Sequence, residues 1–251
     1  MKIVMLVGQG ESSKIVYNGL MKNYQIDLVI EELSVPKKIF LKRRLKKLGY
    51  LKVAGQILFI IYNKLFFFRS KERILEIKQL YGLVIKDYPT ENLKKVISVN
   101  SKETTQILKE ISPDLIIVNG TRIIAKKVLQ SIKAPFINTH VGITPKYRGV
   151  HGGYWSLVKN DKNNCGVTVH LVDAGIDTGT VLYQDTIKVT RKDNFNTYPY
   201  LQIAKAIPLL EQTIEDCKKK ELNRQIIKTQ SNLYTHPTLY QYLMNRIKGV
   251  K

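Results

Sequence analysis

Pro113-Asp114-Leu115-Ile116-Ile117-Val118-Asn119-Gly120 is the stretch that decides the fold. Its apolar run does not alternate with polar residues, so the strand it predicts must be covered on both faces. Working outward, Met1-Lys2-Ile3-Val4-Met5-Leu6-Val7 has the same character and stops at Gly8 with no small-residue cleavage site. It is expected to be a first core strand and not a signal peptide. Gly8-Gln9-Gly10-Glu11-Ser12-Ser13 then predicts a turn into a helix over residues 14–22, with a second strand over 25–31. Further on, Gly82-Leu83-Val84-Ile85 predicts a short strand, 101–110 a helix, 126–131 a short helix and Phe136-Ile137-Asn138-Thr139-His140 a strand. Apolar strands alternating with helices imply an α/β, Rossmann-like fold, a mostly parallel sheet with helices on both faces. Sites in such sheets form at the carboxyl ends of the strands.

After Pro145 the pattern changes. Gly166-Val167-Thr168-Val169-His170-Leu171-Val172 and Thr180-Val181-Leu182-Tyr183-Gln184 alternate like half-exposed strands around a Gly-rich turn, and residues 195–220 read as helical. The last thirty residues are polar and Tyr-rich, suited to a small hairpin or helix. The expected organisation is a catalytic domain over 1–185, followed by a C-terminal helix and small appendage over 186–251.

The chain has 251 residues, of which 44% are hydrophobic and 24% charged, ordinary globular values that exclude wholesale disorder. Cys165 and Cys217 are too few for a disulfide scaffold and suggest a reducing compartment. The net charge of +21 is the anomaly, and about half of it lies between Lys37 and Arg73, where twelve cations face one acid. Phe40, Leu41, Leu45, Leu48 and Leu51 interleave with these cations at helical spacing. Such a basic amphipathic insertion fits an interfacial helix on an anionic membrane surface. It fits equally a helical hairpin packed on the domain with its Lys and Arg stems reaching solvent. Nucleic acid ranks below both. The apolar run, broken by Asn63 and Lys64, is too short to span a bilayer.

Two stretches carry candidate chemistry. In Asn138-Thr139-His140, residues two apart point to one face, so an amide and an imidazole stand together at a strand end. Asp173-Ala174-Gly175-Ile176-Asp177-Thr178-Gly179 can bring a carboxylate to them. An amide donor, an imidazole and a carboxylate make an acyl-transfer set. Taken alone, a strand-end His is more often structural and Asp-x-Gly is more often only a turn.

Asn138-x-His140, Pro145-x-Tyr147-Arg148-Gly149, Gly166-Val167-Thr168-Val169-His170 and Asp177-Thr178-Gly179, in that order, resemble the folate-dependent formyltransferase family. That family includes glycinamide ribonucleotide, methionyl-tRNA and sugar N-formyltransferases. The resemblance is strong over 113–184, weaker over 1–30 and absent from the basic segment and the tail. It implies that Asn138, His140 and Asp177 are catalytic, with Asn138 and protonated His140 steadying an oxyanion while Asp177 supports His140. It implies 10-formyltetrahydrofolate as cosubstrate, no metal, and a folate site formed by Gly120, Thr121, Arg122, Ile123 and Ile124, with Gly142 permitting the adjoining turn. Arg122-Ile123-Ile124 could otherwise be an ordinary inward-packing loop. For the acceptor, Gly10, Ser12, Tyr147, Arg148, His151, Trp155 and His170 are candidates. His170 is equally readable as a structural strand residue, and the aromatics after Gly149 as helix packing.

The chain also departs from the family. Many relatives have His-Pro-Ser-Leu-Leu-Pro where this chain has His140-Val141-Gly142-Ile143-Thr144-Pro145, so any role of that serine is lost. Glu11 stands in the turn that glycinamide ribonucleotide enzymes use to hold a phosphate, which counts against that acceptor. The residues after Asp185 are too few for the barrel that methionyl-tRNA enzymes add. The expected activity is therefore formyl transfer to the amine of a nucleotide-linked aminosugar for surface polysaccharide or lipopolysaccharide. Glycinamide ribonucleotide is the alternative, and a non-catalytic membrane- or nucleic-acid-binding module is a third. The expected location is cytoplasmic, peripheral at the inner membrane surface if the insertion binds lipid, with a homodimer as one open assembly.

Overall fold

In the computed structural model, which describes residues 1–251, the first strand β1 (Ile3–Val7) sits in the interior of the sheet and all five of its residues are buried. Ile3, Met5 and Val7 join one hydrophobic cluster, while Val4 and Leu6 join another on the opposite face. This two-sided burial is why the run reads as unbroken apolar sequence.

Along the chain follow α1 (Glu11–Leu20), β2 (Leu28–Glu32), α2 (Lys37–Leu48), α3 (Tyr50–Leu65), α4 (Phe68–Leu80), β3 (Leu93–Val96), α5 (Lys102–Ile111) and β4 (Leu115–Asn119). Next come α6 (Lys126–Ser131), β5 (Phe136–His140), β6 (Arg148–Gly149), α7 (Gly152–Val158), β7 (Gly166–Leu171), β8 (Val181–Thr186), α8 (Tyr198–Lys219), β9 (Leu233–Tyr234) and α9 (Leu239–Ile247). The seven-stranded sheet runs β3-β2-β1-β4-β5-β7-β8, parallel from β3 to β5 and antiparallel at β7 and β8. The mostly parallel Rossmann-like α/β fold is thus present.

Strand order reverses between β1 and β4, the place where such sheets open a crevice. There the turns after the two strands touch. The Gly8 amide donates to the Asn119 carbonyl at 2.9 Å, and a Cβ on Gly8 would meet the Gly120 oxygen at 2.1 Å.

One expected strand is absent. Residues 82–85 form no strand, although Leu83 is buried; the edge position is taken by β3, which pairs with β2. Lys94 and Lys95 point outward on β3, and charged side chains on an edge strand suppress the apolar signal while guarding against further pairing.

The basic segment is three helices, not a hairpin, and α4 continues to Leu80, beyond the expected boundary at 73. α3 docks through Val53, Gln56 and Phe59, and Phe59 meets Phe195 and Tyr242 at centroid distances of 4.9 Å. The tail folds onto the same core. β9 pairs with β6, α9 opens with a Thr238/Gln241 capping box, and Tyr242 belongs to the larger cluster.

Candidate active site

Register sets the centre of the site. Asn138 on β5 lies opposite His170 on β7, and the Asn138 amide nitrogen is 3.2 Å from His170 Nε2. His170 Nδ1 is 2.7 Å from the Leu171 carbonyl oxygen, which only accepts, so the ring proton sits on Nδ1. Nε2 therefore accepts from the Asn138 amide.

His140 is two residues on and 5% exposed. Its Nε2 lies 2.7 Å from the Tyr147 carbonyl and must donate to it. Its Nδ1 is 3.3 Å from Asp177 Oδ2. Asp177 occupies a left-handed conformation, φ 51°, that swings its carboxylate between the two imidazoles. Oδ2 also accepts from the Gly149 amide at 2.9 Å, while Oδ1 is 3.7 Å from His170 Nε2. Arg148 holds this turn by donating from Nη1 to the Ile176 carbonyl at 2.9 Å.

Burial works to raise the Asp177 pKa, but the charge of a protonated His140 and the Gly149 amide hold it below the ordinary carboxylate value. For His140, burial is the largest influence and lowers its pKa, opposed by Asp177 and the Tyr147 carbonyl. The arrangement nevertheless gives both His140 nitrogens an acceptor. One proton can therefore be held between His140 and Asp177, with Asn138 and His170 in front of them.

A cavity of about 340 Å³ opens on this cluster. Gly120, Thr121, Arg122, Ile123 and Ile124 all line it, together with Asn138, His170 and Asp177. Its apolar wall includes Val118, Val150, Val172 and Ile176. Arg122 anchors the loop. Its guanidinium is 2.5 Å from buried Glu32 and donates to the Leu33 and Ile97 carbonyls at 3.2 and 3.0 Å. Glu32 also accepts from the backbone amides of Val99 and Arg122, so one carboxylate ties three segments.

A second cavity of about 740 Å³ lies beyond His151, the neighbour of Val150. Ser12 and His151 line it, joined by Phe67, Phe68, Phe195 and Tyr200, and by Lys64 and Lys71. A hydrogen-bonded chain links the two cavities. Ser12 Oγ donates to the Asn119 side chain at 3.3 Å, whose amide donates to Thr139 Oγ1 at 2.8 Å. His151 shares a 2.9 Å contact with His236, and burial followed by the charge of that neighbour pushes the His151 pKa down to about 3. His236 is likewise lowered to about 4 by burial.

Several sequence candidates lie outside both cavities. Trp155 stacks on Tyr234 and donates to the Thr235 carbonyl, so it packs the tail. Tyr147 is buried with its hydroxyl on Asp161, and it meets the site only through its carbonyl. Gly142 is wedged against the Tyr147 carbonyl and His140, where a Cβ would clash at 2.5 Å. Gly10 caps α1 on the exposed side. His140 itself stands behind Asp177 and not in the cavity wall. Thr139, Glu32, Phe195 and His236 belong to the site region without any signal in the sequence pattern that marked them.

The formyl transferase family profile matches residues 1–206. A methionyl-tRNA formyltransferase from Finegoldia magna is 32% identical over 123 residues, 49% of this chain and 39% of that protein. The chain spans less than half the length of the curated relatives it matches. Among solved structures, a sugar 3-N-formyltransferase determined with dTDP and 5-N-formyl-THF has a TM-score of 0.55 at 18% identity, covering 93% of this chain and 69% of that one. A glycinamide ribonucleotide transformylase from Symbiobacterium toebii has a TM-score of 0.57 at 15% identity, covering 93% and 95%. At such identities the structural likeness establishes the fold.

Proposed function

The chain belongs to the formyl transferase family, and on that premise we propose that it transfers the formyl group of 10-formyltetrahydrofolate to the primary amine of a nucleotide-linked aminosugar. The folate supplies an activated formyl carbon. The smaller cavity suits such a cosubstrate, since its lining combines the apolar Val118, Ile123, Val150 and Val172 with a few polar groups, Asn138, His170 and Asp177 among them.

The remaining work falls to residues of the chain. One Asn138 amide hydrogen is spent on His170, which fixes the amide plane, and the second is free to meet the oxygen of the formyl group as it gains charge. The attacking amine must lose a proton, and the carboxylate of Asp177, which lines the cavity and whose Oδ2 is taken by the Gly149 amide, offers Oδ1 to receive it. A proton arriving there can pass to His140 Nδ1, 3.3 Å from Oδ2, because Nε2 keeps its own proton on the Tyr147 carbonyl. His140 thus stores the proton behind Asp177 instead of touching the oxyanion. The proton returns through Asp177 to folate N10 as the bond from the formyl carbon to N10 breaks, leaving tetrahydrofolate and the formylated amine.

The observation that carries the acceptor reading is the second cavity, adjoining the first at residues 150–151. Its aromatic faces suit stacking on a sugar or base, and Lys64 and Lys71 suit phosphate. Glu11, which accepts from Tyr200 and from Lys78, puts negative charge at the start of α1, where glycinamide ribonucleotide would need its phosphate held.

The test is incubation with 10-formyltetrahydrofolate and a panel of nucleotide-linked 3- and 4-aminosugars, glycinamide ribonucleotide and charged initiator tRNA, followed by mass spectrometry. Formylation of an aminosugar, lost in Asn138→Ala, is the expected result. Transfer only to the ribonucleotide or the tRNA would overturn the acceptor, and no transfer to any would overturn the reaction.

A further inference from the structure

α3 is apolar on the wrong side as well as the right one. Val53, Gln56 and Phe59 dock it on the core. On the opposite side, Leu51, Ala54, Leu58, Ile61 and Leu65 fall within an arc of roughly 80° at 3.6 residues per turn. All five are exposed, Leu51 at 92%, Leu58 at 53%, Ile61 at 51% and Leu65 at 67%. A helix on the surface of a domain normally turns polar residues outward here. The feature is regional, since fifteen of the 27 large hydrophobic side chains that stand exposed lie between Ile39 and Tyr81.

α2 packs beside α3 through Arg44, which donates to Gln56 at 2.7 Å. No residue of α2 is buried, and its other cations project freely. From residue 33 to 71 the chain has eleven Lys and Arg and no acid. The mouth of the larger cavity is on the same surface, for Ile60, Leu65, Phe67 and Phe68 contribute to both.

We propose that the outer face of α3, flanked by the cations of α2, seats the protein on an anionic lipid surface with the larger cavity opening toward that surface. Seating a second copy on this face would bring two all-cationic segments together, whereas anionic headgroups complement them. The helices lie on the lipid and do not cross it. α3 is about 24 Å long, α3 and α4 meet at a 70° bend, and no single helix is long and apolar enough to cross a membrane. The inference does not depend on the identity of the formyl acceptor.

The experiment is co-sedimentation of the full chain with vesicles of phosphatidylcholine alone or mixed with phosphatidylglycerol, at low and high salt. Expected is binding to the mixed vesicles only, weakened by salt. The variant Lys42→Gln/Arg43→Gln/Lys46→Gln/Lys47→Gln, which spares Arg44, should partition roughly 10³-fold less. Leu51→Ser/Leu58→Ser/Ile61→Ser should likewise release the protein, with an unchanged circular dichroism spectrum. None of these residues lines either cavity, so both variants keep activity on water-soluble acceptors. Equal sedimentation of wild type and variants would overturn the proposal. So would a wild-type dimer in sedimentation equilibrium, abolished by the serine variant, with no vesicle binding.

Discussion

Replacing Asp177 by Asn tests the proton path most directly, because the amide keeps an acceptor for the Gly149 amide while removing the charge between His140 and His170. At 3.3 Å and an effective dielectric constant of about 20, the carboxylate stabilises a protonated His140 by about 5 kcal/mol. Relaxation and the dipole of the new amide return some of this, so about half is a working figure. A penalty of about 2–3 kcal/mol on the protonated ring corresponds to roughly two pKa units. The variant also lacks the base that accepts the amine proton, itself a factor of about 10²–10⁴. Initial rates of 10-formyltetrahydrofolate consumption at saturating acceptor should therefore fall about 10³-fold, with the acceptor KM little changed. Stability supplies an internal control. Folding lowers the Asp177 pKa, so its contribution is present above the unfolded carboxylate value and is lost as pH falls through the folded one. The difference in melting temperature between wild type and variant should accordingly shrink toward zero as pH drops below about 4. A variant with near-normal kcat would show that Asp177 takes no proton, and the relay to His140 would have to be abandoned.

Gly8→Ala should destabilise the fold by about 1–3 kcal/mol in chemical denaturation, because the new Cβ meets the Gly120 carbonyl oxygen at 2.1 Å and neither strand end can retreat. Arg122→Ala should raise the folate KM at least several-fold with a smaller change in kcat, since it frees the 120–124 loop from Glu32. Arg122→Lys should not rescue it, because one ammonium cannot serve both the Leu33 and Ile97 carbonyls, which Nη2 contacts, and Glu32, which faces Nε. For pH, the folded values of His151 and His236, about 3 and about 4, lie below that of an unfolded imidazole. Their contribution is full above pH ~6.5 and is lost on acidification, on the order of 3 kcal/mol for each ring by pH ~4. His236→Gln should flatten that decline in a pH series of thermal melts.

How much of this could be read from the chain depends on where each interaction partner lies. Central strands such as β1 and β4 announce themselves because burial on both faces leaves an unbroken apolar run. The edge strand β3 does not, since its two lysines face solvent. The Asn138–His140 pair was readable from period-two geometry alone. What His140 bonds was not, because its partner is the main-chain carbonyl of Tyr147, carried back by the turn over 141–147. The 120–124 loop was likewise readable as a loop. The direction of Arg122 was not, being fixed by Glu32 ninety positions earlier. Trp155 shows the reverse error, an aromatic shortly after the 147–149 turn whose ring faces the tail. Nothing in the pattern of the last thirty residues signals that His236 walls a cavity.

That last contact bears on the order in which a newly made chain becomes competent. The strands that carry the Asn138–Asp177 cluster all precede Ile187, but the sheet face beneath them is closed only by α8, whose Leu201, Leu210 and Ile214 share one core cluster with β1, β4 and β5. The wall that His236 provides, and the Tyr242 ring that braces Phe59 of α3, arrive only with the final residues. The proposed reactive centre thus waits on α8 and the second cavity on the segment after it, so that a nascent chain gains the two chambers in that order.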